Sequence, residues 1–207
     1  TRLIPVAANS ITVTFYQGAT AVSKQTVTRP TTGNTSTLNF TALPTGTLSV
    51  SAVAYPETDG TGNAQANAST TASITTTQTA QISLTMASTI ASLAITPATT
   101  SVAPGATVPL TATAYDAIPN VVLTSPSTIS WTSSDSGVAV VSALGVVSGV
   151  TAGTVTITAT ESESGKTANA TITVTSGSTG SALIDLANAY INSLTTAQKT
   201  ATVVTGS

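Results

Sequence analysis

Val155-Thr156-Ile157-Thr158-Ala159 and Ala170-Thr171-Ile172-Thr173-Val174 are two runs in which an apolar residue alternates strictly with threonine. A period of two sends the apolar side chains to one face of an extended chain and the hydroxyls to the other. Threonine itself favours extended backbone. The same rhythm recurs in Ile11-Thr12-Val13-Thr14-Phe15 and through Leu48 to Ala54. Turn-forming clusters separate such runs, at Pro30 to Asn34, Pro44 to Gly46, Pro56 to Gly62, Pro104-Gly105, Pro119-Asn120 and Gly165. Short strands punctuated this regularly predict an all-β chain of sandwich type.

Composition narrows the function. Of 207 residues only 6% are charged and 3% aromatic, whereas 47 are Thr and 26 Ser, so the exposed faces are hydroxyl-rich rather than ionic. The net charge of −2 lacks the basic footprint that nucleic acid requires and gives no attraction to anionic membrane surfaces. No stretch approaches the ~20 apolar residues of a spanning helix, so membrane insertion is not expected. Cysteine is absent, so no disulfide closes the sandwiches. The chain starts at Thr1 without a charged and then apolar leader. The expectation is an extracellular or cell-surface protein after signal-peptide removal.

The pattern divides the chain at 1–88, 89–176 and 177–207. Gln81 to Met86 reads as the last strand of the first part, and Ile90 to Thr96 opens the second. Two bodies of this length suit two small tandem sandwiches. A Ser/Gly linker follows, and then the period changes. Leu183, Leu186, Tyr190, Ile191 and Leu194 recur at helical spacing, which predicts a short helical tail with one apolar stripe.

Within the second part, Ile95-Thr96-Pro97, the Ala103-to-Thr107 turn and Leu110-to-Ala114 are followed by Ile129-Ser130-Trp131-Thr132-Ser133-Ser134-Asp135. Val138-to-Ser142, Gly145-to-Val150 and Ala152-to-Ala159 complete the order. Residues 90–175 thereby resemble the bacterial Ig-like group 2 module, the type found in intimin- and invasin-like surface proteins. The resemblance implies an Ig-like sandwich in a surface protein. Pro109 departs from the pattern and predicts an edge position or a bulge. Trp131, the one Trp, is the expected core anchor. Gly145, Gly149 and Gly153 fall where tight turns are expected. The first part resembles, over Phe40 to Leu48, the Leu-Pro-x-Gly hairpin of prealbumin-like and collagen-adhesin B-type modules. Some of those carry a Lys–Asn isopeptide bond, for which Lys24 is the only lysine of this part.

The chain has no His and no Cys, which removes Ser-His-Asp and Cys-His catalysis and the common zinc sites. No nucleophile elbow or phosphate-binding loop occurs. A non-enzyme without a cofactor is expected. Asp116, Glu161 and Glu163 lie in loops that an Ig-like sandwich brings to one pole, so they are the candidates for a calcium ion between the two parts; no Asp-x-Asp-x-Asp pattern accompanies them. Asn34, Asn39, Asn67 and Asn169 head Asn-x-Ser/Thr sequons, no more than chance supplies, and a surface glycan is left open.

Three roles remain. One is a structural subunit of an extracellular filament, its copies joined by strand or tail exchange. Leu3, Ile4 and Val6 of an amino-terminal arm would then be contact residues, with Leu183, Leu186, Tyr190, Ile191 and Leu194 of the tail. The preferred alternatives are that the arm is the first strand of its own unit and that the tail stripe packs on its own sandwich or opens a further domain. The second role is a passive stalk in a larger surface protein. The third is an adhesin module for carbohydrate or a host protein.

Overall fold

The computed structural model describes residues 5–30, 37–76, 79–176 and 188–193. The regular structure of the described residues is nearly all strand. The first unit contains β1 (Ser10–Gln17), β2 (Thr20–Thr28), β3 (Gly46–Tyr55), β4 (Ala66–Ile74) and β5 (Ala87–Ser88). These form one antiparallel sheet in the order β2-β1-β3-β4-β5. Both alternating runs noted in this half lie in its central strands. Their period of two directs Val13 and Phe15 of β1, with Leu48 and Val50 of β3, to one face.

That face is not covered by a second set of paired strands among the described residues. Phe40, Leu43, Ile82 and Leu84 cover it from segments outside the sheet. Phe40 meets Phe15 edge to face, with ring centroids 4.7 Å apart. The expected last strand, Gln81 to Met86, is therefore not paired as a strand. Its Ile82, Leu84 and Met86 are half-buried and alternate with exposed neighbours, as a strand would, yet only Ala87 and Ser88 join the ladder. Ser10 and Thr12, on the other face, are buried beneath the loop after β3. Ser10 Oγ donates to the Glu57 carbonyl at 2.5 Å, and Gly60 sits so close to Thr12 that a Cβ there would fall 2.6 Å from its hydroxyl.

The second unit contains β6 (Ser92–Thr96), β7 (Thr99–Val102), β8 (Thr107–Pro109), β9 (Thr111–Tyr115) and β10 (Val121–Val122). A short 3-10 turn, Pro126–Thr128, leads to β11 (Ile129–Ser133), β12 (Ala139–Val141), β13 (Val146–Gly149), β14 (Gly153–Glu161) and β15 (Thr167–Val174). One layer is the sheet β11-β14-β15-β7, in which β7 runs parallel to β15. The other consists of two three-stranded pieces, β10-β9-β6 and β12-β13-β8. The chain passes between those pieces through Leu110. Pro109, which cannot donate to a ladder, ends edge strand β8 at that break, as its ring requires.

Ile157, Ile172, Val147 and Val155 meet between the layers with almost no exposure. Trp131 is half-buried and packs on the rim of this core, while Ile157 and Ile172 occupy its centre. Of the glycines expected in turns, Gly145 has φ +79° and turns beneath the Trp131 ring. Gly149 instead lies within β13, where a Cβ would stand 2.7 Å from the Ala103 carbonyl. It is needed for close backbone approach rather than for a turn.

Candidate functional site at the joint between the two units

The topology places Ser10, Tyr55, Ala66 and Ser88 at one end of the first sheet. It places Ser92 and Tyr115, and the loops after them, at the facing end of the second unit. Only residues 89–91 connect the two, and they are hydrogen-bonded into both. Thr89 donates its N–H to Gln65 O and its hydroxyl to Ala64 O, while Ala91 N–H donates to Tyr115 O. Ile90 between them is buried in the second core. A linker held in this way has little freedom left.

Two further contacts cross the joint. Asn63 Nδ2 donates to the Val121 carbonyl at 2.9 Å. Val6 N–H donates to Glu163 Oε1 at 2.9 Å. Val6 can reach because Arg29 donates to the carbonyls of Ala8 and Pro5, and Ala8 closes a turn onto Pro5. Residues 5–8 are thus neither a strand of their own sheet nor an extended arm. They are a turn fastened across their own joint, with Ala8 buried and Val6 half-buried. Leu3 and Ile4 lie outside the described residues.

Glu163 is aimed at Val6 by a buried neighbour. Glu161, at the end of β14, is fully buried. Its Oε1 accepts from Glu163 N–H at 3.1 Å, and its Oε2 accepts from Ser164 N–H at 2.7 Å and from the Ser164 hydroxyl at 2.6 Å. A buried carboxyl with three donors is fully satisfied, and it shapes the loop as a template. The residues between two alternating strands gave no sign of this. The signal available was the Glu-x-x-Ser spacing, in which a carboxylate can reach the N–H groups two and three residues on.

Asp116 occupies the same pole, as expected, but works alone. Its carboxylate accepts from Ile118 N–H, Asn120 N–H and Asn120 Nδ2. The Asn120 backbone N–H first, and then its side chain, hold the Asp116 carboxyl below the usual aspartate range. A depressed acid of this kind supports its loop above the ordinary aspartate range and releases it as pH falls through the lowered value. Asp59 is lowered in the same sense, chiefly by the Thr61 hydroxyl. Among the described residues no three acids gather where a metal could bind. The proposed calcium set of Asp116, Glu161 and Glu163 is therefore corrected. The first two engage their own loops and the third reaches the amino-terminal turn.

A cavity of about 810 Å³ lies elsewhere, in the first unit between the sheet face and its covering segments. Val13, Phe15, Phe40, Leu43, Ile74 and Ile82 are among its walls, and no titratable side chain is among its described lining. In the tail, residues 188–193 are helical, with Tyr190 66% and Ile191 48% exposed. Leu183, Leu186 and Leu194 lie outside the described residues. No described helix is long and apolar enough to cross a membrane.

Residues 89–172 match the family model of the bacterial Ig-like domain (group 2). No curated protein matches the chain. Among solved structures, surface layer protein SbsC, domains 4–9, is 19% identical over 83% of this chain, with a TM-score of 0.40. The S-layer protein rSbsC(31–844) is 17% identical over 84% of the chain, with a TM-score of 0.39. A C-terminal 282-residue fragment of intimin, solved in complex with the intimin-binding domain of the translocated intimin receptor, is 18% identical over 81% of this chain and 52% of its own, with a TM-score of 0.36. The chain spans only 23% and 21% of the two surface-layer structures.

Proposed function

We propose, from a chain whose residues 89–172 are a bacterial Ig-like domain of group 2, that it serves as a non-catalytic structural part of an extracellular bacterial surface assembly, a stiff two-unit spacer. One observation carries the reading. The three-residue connection is hydrogen-bonded at both ends, and side chains bridge the joint on either side of it. Each such bond contributes only about 0.5–1.5 kcal/mol. Together they oppose bending in more than one direction, which a single flexible linker cannot do. The absence of His and Cys and the uncharged cavity lining support a mechanical role over a chemical one.

A second reading, a subunit whose copies join into a homopolymer, has a narrower basis. The strand-exchange form would need residues 5–8 to leave the Glu163 contact. The tail form rests on exposed Tyr190 and Ile191. Sedimentation velocity on the chain and on Tyr190→Ser/Ile191→Ser separates the readings. A spacer sediments as a monomer in both, whereas a tail-joined polymer collapses to monomer in the variant. For the location, antibodies against the chain are expected to label intact source cells. Labelling only after lysis contradicts an extracellular place.

A further inference from the structure

The chain comes into the first unit and leaves it at the same end of the sheet, Asn9 beside Tyr55 and Ser88 beside Ala66. In the second unit it comes in at the joint and leaves at the far pole, because β15 starts at the joint and runs parallel to β7. We propose that this asymmetry makes the chain a two-stage extender: under tension the first unit lengthens by peeling residues 79–88 from its sheet, β5 from β4 and residues 79–86 from the sheet face, while the second unit, held along the β7–β15 ladder, stays folded. The inference rests on the spacer reading for its use, since a spacer is pulled from its two ends.

The geometry decides which part yields. Once the turn at residues 5–8 opens, with its Val6–Glu163 contact and the Arg29 bonds to Pro5 and Ala8, tension enters at Asn9 and leaves through Thr89. At Thr89 it meets two hydrogen bonds, to Gln65 O and Ala64 O. Behind them lies β5, two residues paired to Ala66 and Asn67. Residues 79–86 come next, in no ladder and held by Ile82, Leu84 and Met86. Pulled from the sheet's end, these contacts open one after another. In the second unit the first-entering and last-leaving parts are drawn in opposite senses along parallel strands. Thr171 N–H to Ala98 O, Thr175 N–H to Val102 O and the rungs between them are strained together. Bonds strained together share the force, whereas bonds opened singly do not. After residues 79–88 have left, tension reaches β4 at Ile74, the end opposite Asn9, so the rest of the first sheet is also pulled along its strands. The early step is therefore short.

Single-molecule force spectroscopy on the full chain, with handles at both termini, tests this. The peeled ten-residue segment has a contour of about 34 Å at ~3.4 Å per residue, so a short step on the order of a few tens of ångströms is expected before either unit's main event. Ten glycines inserted after exposed Pro119 mark the second unit's event by lengthening it by a similar ~34 Å, and that event is expected last. Ile82→Ala/Leu84→Ala should lower the force of the short step at least twofold and leave the marked event unchanged. The proposal is overturned if the first unit opens in one piece without a short step, if the marked event comes first, or if the short step ignores the two alanines. Should the double variant fail to fold, the order of events in the marked chain still decides. Bending at the joint would remove the spacer reading without touching this order.

Discussion

Glu161→Ala is expected to destabilise the second unit by about 2–4 kcal/mol, the range for stranding buried donors and breaking a buried network. The substitution removes the acceptor for Glu163 N–H, Ser164 N–H and the Ser164 hydroxyl at once. It also opens a void at a fully buried position beside Ile129 on β11. Its reach extends beyond its own unit, because the loop it shapes presents Glu163 to Val6. Denaturant unfolding followed by Trp131 fluorescence reads the second unit's loss, since Trp131 is the one Trp. Hydrogen exchange at the Val6 amide reads the joint and should quicken. A stable protein with a slow Val6 amide would show that the loop holds its shape without its template.

Gly145→Ala is the second large effect, expected at about 2–4 kcal/mol. An L residue at φ +79° costs about 1–2 kcal/mol by itself. The added Cβ would also stand 2.8 Å from the Leu110 carbonyl and 2.8 Å from the Trp131 ring. The Trp131 ring could shift, being half-buried; the carbonyl cannot shift cheaply. Leu110 N–H donates to Gly145 O here, and the chain crosses at this point from β8 to β9. Thermal unfolding should show a clearly lowered midpoint together with a changed Trp131 emission. Gly105→Ala is the control. It has a similar φ of +78° but open space around it, so it should cost only the backbone part.

The two-residue period made most strands legible, because one hydrophobic period serves every alternating run whatever its neighbours. The family pattern located the second unit, and Pro109 announced the break in its sheet. What stayed hidden follows from the same physics. Gln81 to Met86 carries a strand's alternation, but periodicity reports burial of one side and not the existence of a hydrogen-bonded partner, and this segment has the first without the second. Gly149 was read as a turn because glycine permits both turns and close approach, and only the fold tells which. Trp131 proved a rim residue because a large ring with a polar N–H need not sit at the centre of a small core. At the joint, Asp116, Glu161 and Glu163 accept mostly from main-chain N–H groups, which every residue carries, so beyond the Glu161-x-x-Ser164 spacing and the Asn120 side chain little in the sequence marks their partners.

The stiffness of the joint is the claim on which the spacer reading depends. The chain has no native Cys, so spin labels placed at Thr20→Cys in the first unit and Thr151→Cys in the second, both exposed positions, would be the only two in the molecule. Double electron–electron resonance between them is predicted to give a single narrow distance distribution, broadened when Asn63→Ala and Glu163→Ala are combined. A distribution already broad in the unaltered joint, and unmoved by those two changes, would contradict the account.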